Sequence, residues 1–223
     1  MPGLRDNRDQ RGRQGIFAML FLCSGSWVKR GIDVIVASAL LIVLSPVLLV
    51  VAASIFGRMG CPVFFVQTRP GRFGKPFRLV KFRTMEVASK DQGLVDSDAI
   101  RITKMGRLLR NWSLDELPEL INVLRGDMSL VGPRPLLMEY LPLYSERQRR
   151  RHDVRPGMTG WAQIHGRNRL PWPDRLELDV WYVENQSILL DLRIIVKTLR
   201  KVLLREGVSQ LGHATMEPFR GQR

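Results

Sequence analysis

Asp115 and Glu116 stand side by side in SLDELPEL, a few residues after Arg110. Adjacent residues on a helix point about 100° apart, so the two carboxylates need not do the same job. One could attack an electrophile while the other holds a cation. The second group of interest is cationic: Lys81 and Arg83 in KFRT, Arg134 between two prolines in GPRP, and Arg155 and Arg167 in glycine-rich stretches. Guanidinium forks match phosphate oxygens in pairs, and the flanking prolines restrict the backbone at Arg134. Any one of these cations alone is more often a surface charge. Several in rigid settings, with few compensating acids, point to a diphosphate site. Two carboxylates nearby make Mg²⁺ the expected metal, held by a carboxylate plus substrate oxygens.

A structural reading competes at the acidic pair. S-x-x-E is a capping box, with Ser113 as N-cap and Glu116 at the third helical position. Pro118 counts against it, because inside an early helix it removes a backbone bond. It fits better near the first turn of a new helix, PELINVLRG. Asp115 and Glu116 then lie at a junction between helices, beside Arg110.

The elements that must position these residues follow from periodicity. Residues 62–82 read as a β-hairpin: PVFFVQ as one strand, TRPGRFGK as the turn, PFRLVKF as the return strand. Residues 86–97 are polar and expected as a loop. Residues 99–112 form an amphipathic helix, with Ile102, Met105, Leu108, Leu109 and Trp112 on one arc and Arg101, Lys104, Arg107 and Arg110 opposite. Residues 188–205 repeat the pattern, with Leu192, Ile195, Val196, Leu199, Val202 and Leu203 as the apolar stripe. Such helices suit either a core face or the headgroup level of a membrane.

Residues 34–56 contain no charge over 23 positions. A straight helix of that length reaches roughly 34 Å, enough to cross a hydrocarbon core of about 30 Å. Ser45-Pro46 interrupts it at the middle: Pro46 cannot donate to the Ile42 carbonyl, and Ser45 can compensate by bonding back to the Leu41 carbonyl. Both flanks are basic, with Lys29 and Arg30 before and Arg58, Arg69, Arg72 and Lys75 after. A re-entrant helix-break-helix puts both flanks on one side and satisfies the positive-inside rule. A single span and a buried core helix are the alternatives. Residues 1–28, Arg-rich and then apolar at IFAMLFLC, resemble a secretory leader, but a longer apolar segment follows closely. An interfacial or poorly ordered extension is the expectation.

The chain has 223 residues, 35 Lys+Arg against 21 Asp+Glu, a net charge of +14 and 45% hydrophobic residues. That excludes a disordered or collagenous chain and predicts an anionic partner. Two cysteines and three scattered histidines give neither a disulfide framework nor a zinc site. Nucleic acid is not expected, since no helix-turn-helix, RRM or OB pattern appears and aromatics do not alternate with the basic residues. A non-catalytic, membrane-tethered basic binding protein is the rival from a different class. The expected division is an extension (1–28), a membrane hairpin (29–60), a catalytic domain (61–206) and a tail (207–223).

The residues as a set resemble the bacterial sugar transferases, the small monotopic phosphoglycosyl transferases. KR-x-x-D (Lys29, Arg30, Asp33), the apolar segment with Ser45-Pro46, PVFF-x-Q-x-R-x-G-x-x-G-K-x-F (62–77), KFRTM (81–85), SLDELPEL-x-NVL-x-GDMSLVGPRP (113–135) and RPG-x-TGWAQ-x-x-GRN (155–168) carry the resemblance. It implies a helix-rich α/β (α+β) fold: a re-entrant membrane hairpin and a small cytoplasmic catalytic domain on amphipathic interfacial helices. It implies transfer of a sugar 1-phosphate from a UDP-sugar to undecaprenyl phosphate at the cytoplasmic face of the inner membrane, with release of UMP. By the same resemblance Asp115 is the nucleophile that becomes a phosphosugar ester, and Glu116 holds Mg²⁺. Lys81, Arg83, Arg110 and Arg134 then stabilise phosphate, and Gln163, Arg167 and Asp179 contact the UDP-sugar. The tail REGVSQLGHATMEPFRG resembles the branch that handles N,N'-diacetylbacillosamine. Glucose, galactose and N-acetylhexosamine donors stay open, and the oligomeric state is not implied.

Overall fold

The computed structural model describes residues 27–86, 101–166, 170–204 and 218–221. Two helices come first, α1 (Trp27–Val43) and α2 (Ser45–Met59), bent by 62° where they meet. Pro46 sits in the first turn of α2, where its missing N–H costs least. Ser45 Oγ donates to the Ile42 carbonyl at 2.7 Å. That corrects the expected bond to Leu41: the carbonyl served is the one Pro46 cannot reach. No single helix among the described residues is long and apolar enough to cross a membrane; only the bent pair passes that test together.

The pair is apolar outward and docked inward. Ile35, Ile42, Val43, Leu49 and Val50 are exposed, whereas Ala37, Val51 and Ile55 are buried. KR-x-x-D provides the polar part of the docking. Lys29 Nζ lies 2.5 Å from Asp191 Oδ2 and donates to the Val131 carbonyl at 3.1 Å. Arg30 donates to the Val123 and Leu124 carbonyls at 2.6 and 3.0 Å. Buried Asp33 accepts from the Leu130 N–H at 3.2 Å.

Strands β1 (Phe64–Pro70) and β2 (Pro76–Phe82) pair antiparallel from Phe64↔Phe82 to Pro70↔Pro76. Thr68, Arg69 and Pro70 thus belong to the strand and not, as expected, to the turn. The turn is tighter: Gly71 N–H donates to the Lys75 carbonyl at 2.7 Å, around a 3-10 turn at Arg72–Gly74. Helix α3 (Lys104–Asn111) starts later than the periodicity predicts. Ile102 is drawn into a β-bridge with Met85, and Thr103 Oγ1 then caps the helix by accepting from Gly106 N–H at 2.8 Å. Gly106 is required there, since a Cβ would lie 1.9 Å from the Thr84 carbonyl oxygen.

Helix α4 (Glu119–Arg125) leads to β3 (Ser129–Val131), which pairs in parallel with β4 (Gly157–Thr159). Short α5 (Glu146–Arg149) lies between them, and α6 (Trp161–His165), α7 (Trp172–Glu184) and α8 (Ile188–Leu203) follow. The fold is mixed and helix-rich, with two small sheets. The main core joins Phe77, Leu79, Leu120, Val123, Met128, Ile164, Tyr182 and Ile194 to Ala37 of α1. A second core gathers Leu136, Tyr140, Tyr144, Leu176 and Phe219. Phe82 and Leu109 bury Val51 and Ile55 of α2 in a third.

On α8 the buried positions are Leu190, Asp191 and Ile194. Leu192, Val196, Leu199 and Leu203 of the expected stripe are exposed instead. On α3, Leu109 is buried and Leu108 exposed. Of the predicted arc, Ile102, before the helix, and Leu109 are buried, and Met105 packs partly buried against the third core. The loop expected at 86–97 lies, beyond Glu86, outside the described residues.

Candidate active site

After α3 the chain turns through Ser113, at φ 54°, into a 3-10 turn at Leu114–Glu116. Ser113 makes no side-chain cap bond, so the capping-box reading is overturned; α4 begins after Pro118. Asp115 and Glu116 therefore lie at a helix junction. Asn122 of α4 holds the junction against the hairpin. Its Oδ1 accepts from Val80 N–H at 3.1 Å, and its Nδ2 donates to the Arg78 carbonyl at 2.7 Å.

That docking brings Lys81 between two acids. Lys81 Nζ lies 2.8 Å from Glu116 Oε1 and 2.9 Å from Glu119 Oε1. Arg134 Nη2 reaches the same Glu116 oxygen at 2.5 Å. Arg69, Leu79, Lys81, Glu119 and Arg134, with Pro135 and Leu136, line a cleft of about 90 Å³. A larger hollow of about 450 Å³ lies at the end of α2, beside Arg58, Arg83 and Lys104. None of Asp115, Glu116 and Glu119 lines it, so size and chemistry part company here.

The electrostatics separate the acids. Burial works against an ionised Glu116, yet Arg134 and Lys81 hold its carboxyl far below the usual range. The Arg134 cation is in turn stabilised chiefly by Glu116. Burial opposes the Lys81 charge, but Glu116 and Glu119 prevail and raise it. Asp115 is pushed up by burial and then by the Glu116 charge, and no hydrogen bond or ion pair holds it among the described residues. Burial, reinforced by Glu116 and resisted by Lys81, lifts Glu119 to about 7.

Of the site residues read from sequence, Lys81 and Arg134 meet Glu116 directly. Arg110 donates to Thr84 Oγ1 at 3.1 Å, and its charge acts on Asp115. Arg83 is placed otherwise. It donates to the carbonyls of Met59, Gly60 and Cys61, which the end of α2 leaves without helical partners. Asp179 also departs from expectation. It ion-pairs with Arg151 at 2.7 Å, with side chains 3% and 1% exposed, and Arg151 donates to the Arg134 carbonyl at 2.7 Å. Asp179 is thus a brace behind Arg134 and does not line the cleft. Gln163 donates to the Met158 carbonyl at 3.0 Å, with its Oε1 buried and unpartnered. Arg155 donates to the Gly126 carbonyl at 2.9 Å. Arg167 lies outside the described residues. Glu119, Arg69 and Arg151 received no role from sequence. Glu119 had one readable signal, its three-residue step from Glu116; Arg69 comes to share a face with Lys81 only through the observed hairpin register.

The described residues contain no group of three or more His, Cys, Asp or Glu placed to hold a metal. An adjacent carboxylate pair with Asp115 unpaired fits a different arrangement, a Mg²⁺ on one or two carboxylates completed by substrate oxygens and water.

The chain belongs to the bacterial sugar transferase family, whose sequence pattern matches residues 24–205; it is an enzyme of the phosphoglycosyl transferase class. It is 55% identical over 194 residues to the uncharacterised sugar transferase EpsL of Bacillus subtilis, covering 87% of this chain and 96% of that one. It is 43% identical to the UDP-glucose:undecaprenyl-phosphate glucose-1-phosphate transferase of Klebsiella pneumoniae, over 80% of this chain and 41% of the relative. It is 38% identical to the undecaprenyl-phosphate galactose phosphotransferase of Salmonella typhimurium, over 82% and 42%. The chain thus spans less than half the length of these two relatives with named sugars, and nearly all of EpsL.

Proposed function

We propose that this protein transfers a sugar 1-phosphate from a UDP-sugar to undecaprenyl phosphate and releases UMP, in two displacements at Asp115. The observation that carries the reading is the contrast within the acidic pair: Glu116 is clamped by Lys81 and Arg134, while Asp115 beside it has no such partner. An Asp115 oxygen attacks the sugar-side phosphorus. The new O–P bond forms as the bond to UMP breaks, and UMP takes the electron pair. An oxygen of undecaprenyl phosphate then attacks the same phosphorus, the Asp115 ester breaks, and the carboxylate returns. One anhydride replaces another, so positioning and charge stabilisation are the main demands. Lys81, Arg110 and Arg134 meet the phosphate charge. Mg²⁺ at Glu116, when bound, supplies further neutralisation of the diphosphate. Gln163, whose buried Oε1 is free to accept, and Arg167 are assigned to the UDP-sugar.

The chain works at the cytoplasmic face of the inner membrane. Residues 29–60 form a re-entrant hairpin and 61–206 the catalytic domain. The outward apolar faces of α1 and α2 and the basic flanks support this. So does the exposed stripe of α8 beside Arg193, Lys197 and Arg200, a pattern suited to headgroup depth. The resemblance of the tail keeps N,N'-diacetylbacillosamine among the donors, and the named relatives keep glucose and galactose beside it.

The test is a panel of UDP-sugars with purified protein and undecaprenyl phosphate, reading UMP. Asp115→Asn is expected to abolish UMP release while folding and membrane binding persist. Mass spectrometry of quenched wild type should find the phosphosugar on residue 115. Normal turnover by Asp115→Asn removes it as the nucleophile. Cysteine labels near positions 30 and 60 should both report the cytoplasmic side; opposite sides mean a true span.

A further inference from the structure

We infer that Arg69 binds the phosphate that departs with the nucleoside, on the wall of the cleft remote from Asp115; the inference rests on the reaction proposed above. Three cations line the cleft: Arg69, Lys81 and Arg134. Two are matched by acids, Lys81 by Glu116 and Glu119, and Arg134 by Glu116. Arg69 is matched by none among the described residues. Its Nη2 donates to the neutral Gln67 Oε1 at 2.6 Å, and its Nε is buried without a hydrogen-bond partner. A guanidinium does not shed its proton, so a half-buried one with an unused donor is a standing cost that an anion relieves. Burial and the neighbouring Arg134 charge both disfavour the Arg69 cation, as expected of a site short of negative charge.

Position decides which phosphate it takes. Arg69 pairs with Phe77, and Lys81 lies four residues further along β2 on the same face. Their backbones are therefore about 13 Å apart along the strand, and both side chains converge on the cleft. Asp115 feels the charges of Glu116, Lys81, Arg110 and Arg134. Arg69 feels Arg134, Tyr140, Glu119 and Tyr144. Lys81 and Arg134 both contact Glu116, the neighbour of Asp115, and both line the cleft with Arg69, whereas Asp115 does not line it; the two cations thus link the carboxylate pair to Arg69. Displacement at phosphorus sets the entering and leaving oxygens roughly in line on opposite sides. With Asp115 entering on one side, Arg69 faces the group that leaves from the other.

The experiment uses the full chain in detergent or lipid with a donor from which the wild type releases UMP. In Arg69→Gln the KM for that donor and the inhibition constant for UMP should rise together, by about 10- to 100-fold. The KM for undecaprenyl phosphate should stay put. Arg69→Lys should recover part of the loss, since it keeps the charge but not the fork. A folding defect lowers kcat through the active fraction and leaves the UMP inhibition constant alone, so that constant decides. An unchanged UMP constant in Arg69→Gln, or an effect confined to the acceptor KM, overturns the assignment while the wild-type reaction stands. A wild type that releases UMP from no donor brings down the reaction and, with it, the role of Arg69.

Discussion

Two buried clusters of acid and cation meet at Arg134, and they are built to opposite ends. Behind it, Arg151 gives Nε and Nη2 to a single Asp179 oxygen, at 3.1 and 2.7 Å. Both side chains are almost fully buried, and buried Arg175 feels the same Asp179 charge, so the group is sealed. In front of it, Glu116 receives two cations on one oxygen, Lys81 is shared between two acids, and the group borders a cleft. A closed group has nothing left to offer a ligand. An open one can exchange partners when a diphosphate arrives. Charge near charge is common to both; access to a cleft separates the open cluster from the closed one.

The sharpest way to break that contrast is to neutralise one acid in each cluster. Glu116→Gln should cost about 10²- to 10³-fold in turnover and raise the Mg²⁺ requirement. UMP release across a Mg²⁺ titration checks this, and an unchanged Mg²⁺ response assigns the ion elsewhere. Asp179→Asn should act on the fold, because it strands a buried guanidinium, at a cost of about 3–5 kcal/mol. Denaturant unfolding reads that loss, and turnover per folded molecule should largely survive. If Asp179→Asn instead abolishes turnover at unchanged stability, the two clusters are one site.

The pH dependence of stability should differ in sign between the two regions. Glu119 in the open cluster is raised to about 7 from its ordinary 4.5. The native state holds that proton more tightly than the unfolded chain, so the associated stability is present below pH 4.5 and lost as pH rises towards 7. His152, next to Arg151 in the sealed region, is lowered to about 3 from 6.5, first by burial and then by Arg151. Its contribution is present above pH 6.5 and lost as pH falls towards 3. Melting curves from pH 3 to 8 should show Glu119→Gln flattening the 4.5–7 window and His152→Gln flattening the 3–6.5 window. A Glu119→Gln profile that matches wild type removes Glu119 as a buried, titrating acid.

The sequence made the site's local chemistry legible and left its packing hidden. Asp115, Glu116, Lys81 and Arg134 could be chosen by residue type and by Pro118, because those signals are local. Arg83 and Asp179 carried the same surface signature, but their partners lie 22 to 24 and 28 residues away, at Met59–Cys61 and Arg151. No periodicity reports which distant carbonyl or guanidinium will arrive. The hairpin was readable from its Pro and Gly content, yet its register was not, and register is what puts Arg69 in the cleft. The α8 stripe was seen correctly as apolar but assigned no side. Helical spacing gives a face and is silent on whether protein or lipid covers it.

The smallest effect should come from the residue that aims the acidic pair. Ser113 sits at φ 54° with no side-chain cap bond, in a region that L-residues enter at a cost of roughly 1–2 kcal/mol. Glycine removes that penalty but gives the unfolded chain more freedom, worth about 0.4–1 kcal/mol in the other direction. Ser113→Gly should therefore change stability by no more than about 1 kcal/mol, whereas Ser113→Val, β-branched and poorly tolerated at positive φ, should lose more. The informative reading is turnover. The left-handed turn is what reverses the chain between α3 and the carboxylates, so a looser turn spreads Asp115 over more positions. Lower kcat at near-native stability in Ser113→Gly is the expected outcome. Equal kcat in Ser113, Gly and Ala variants would mean that the packing of Leu114 and the Asn122 clasp alone orient the pair.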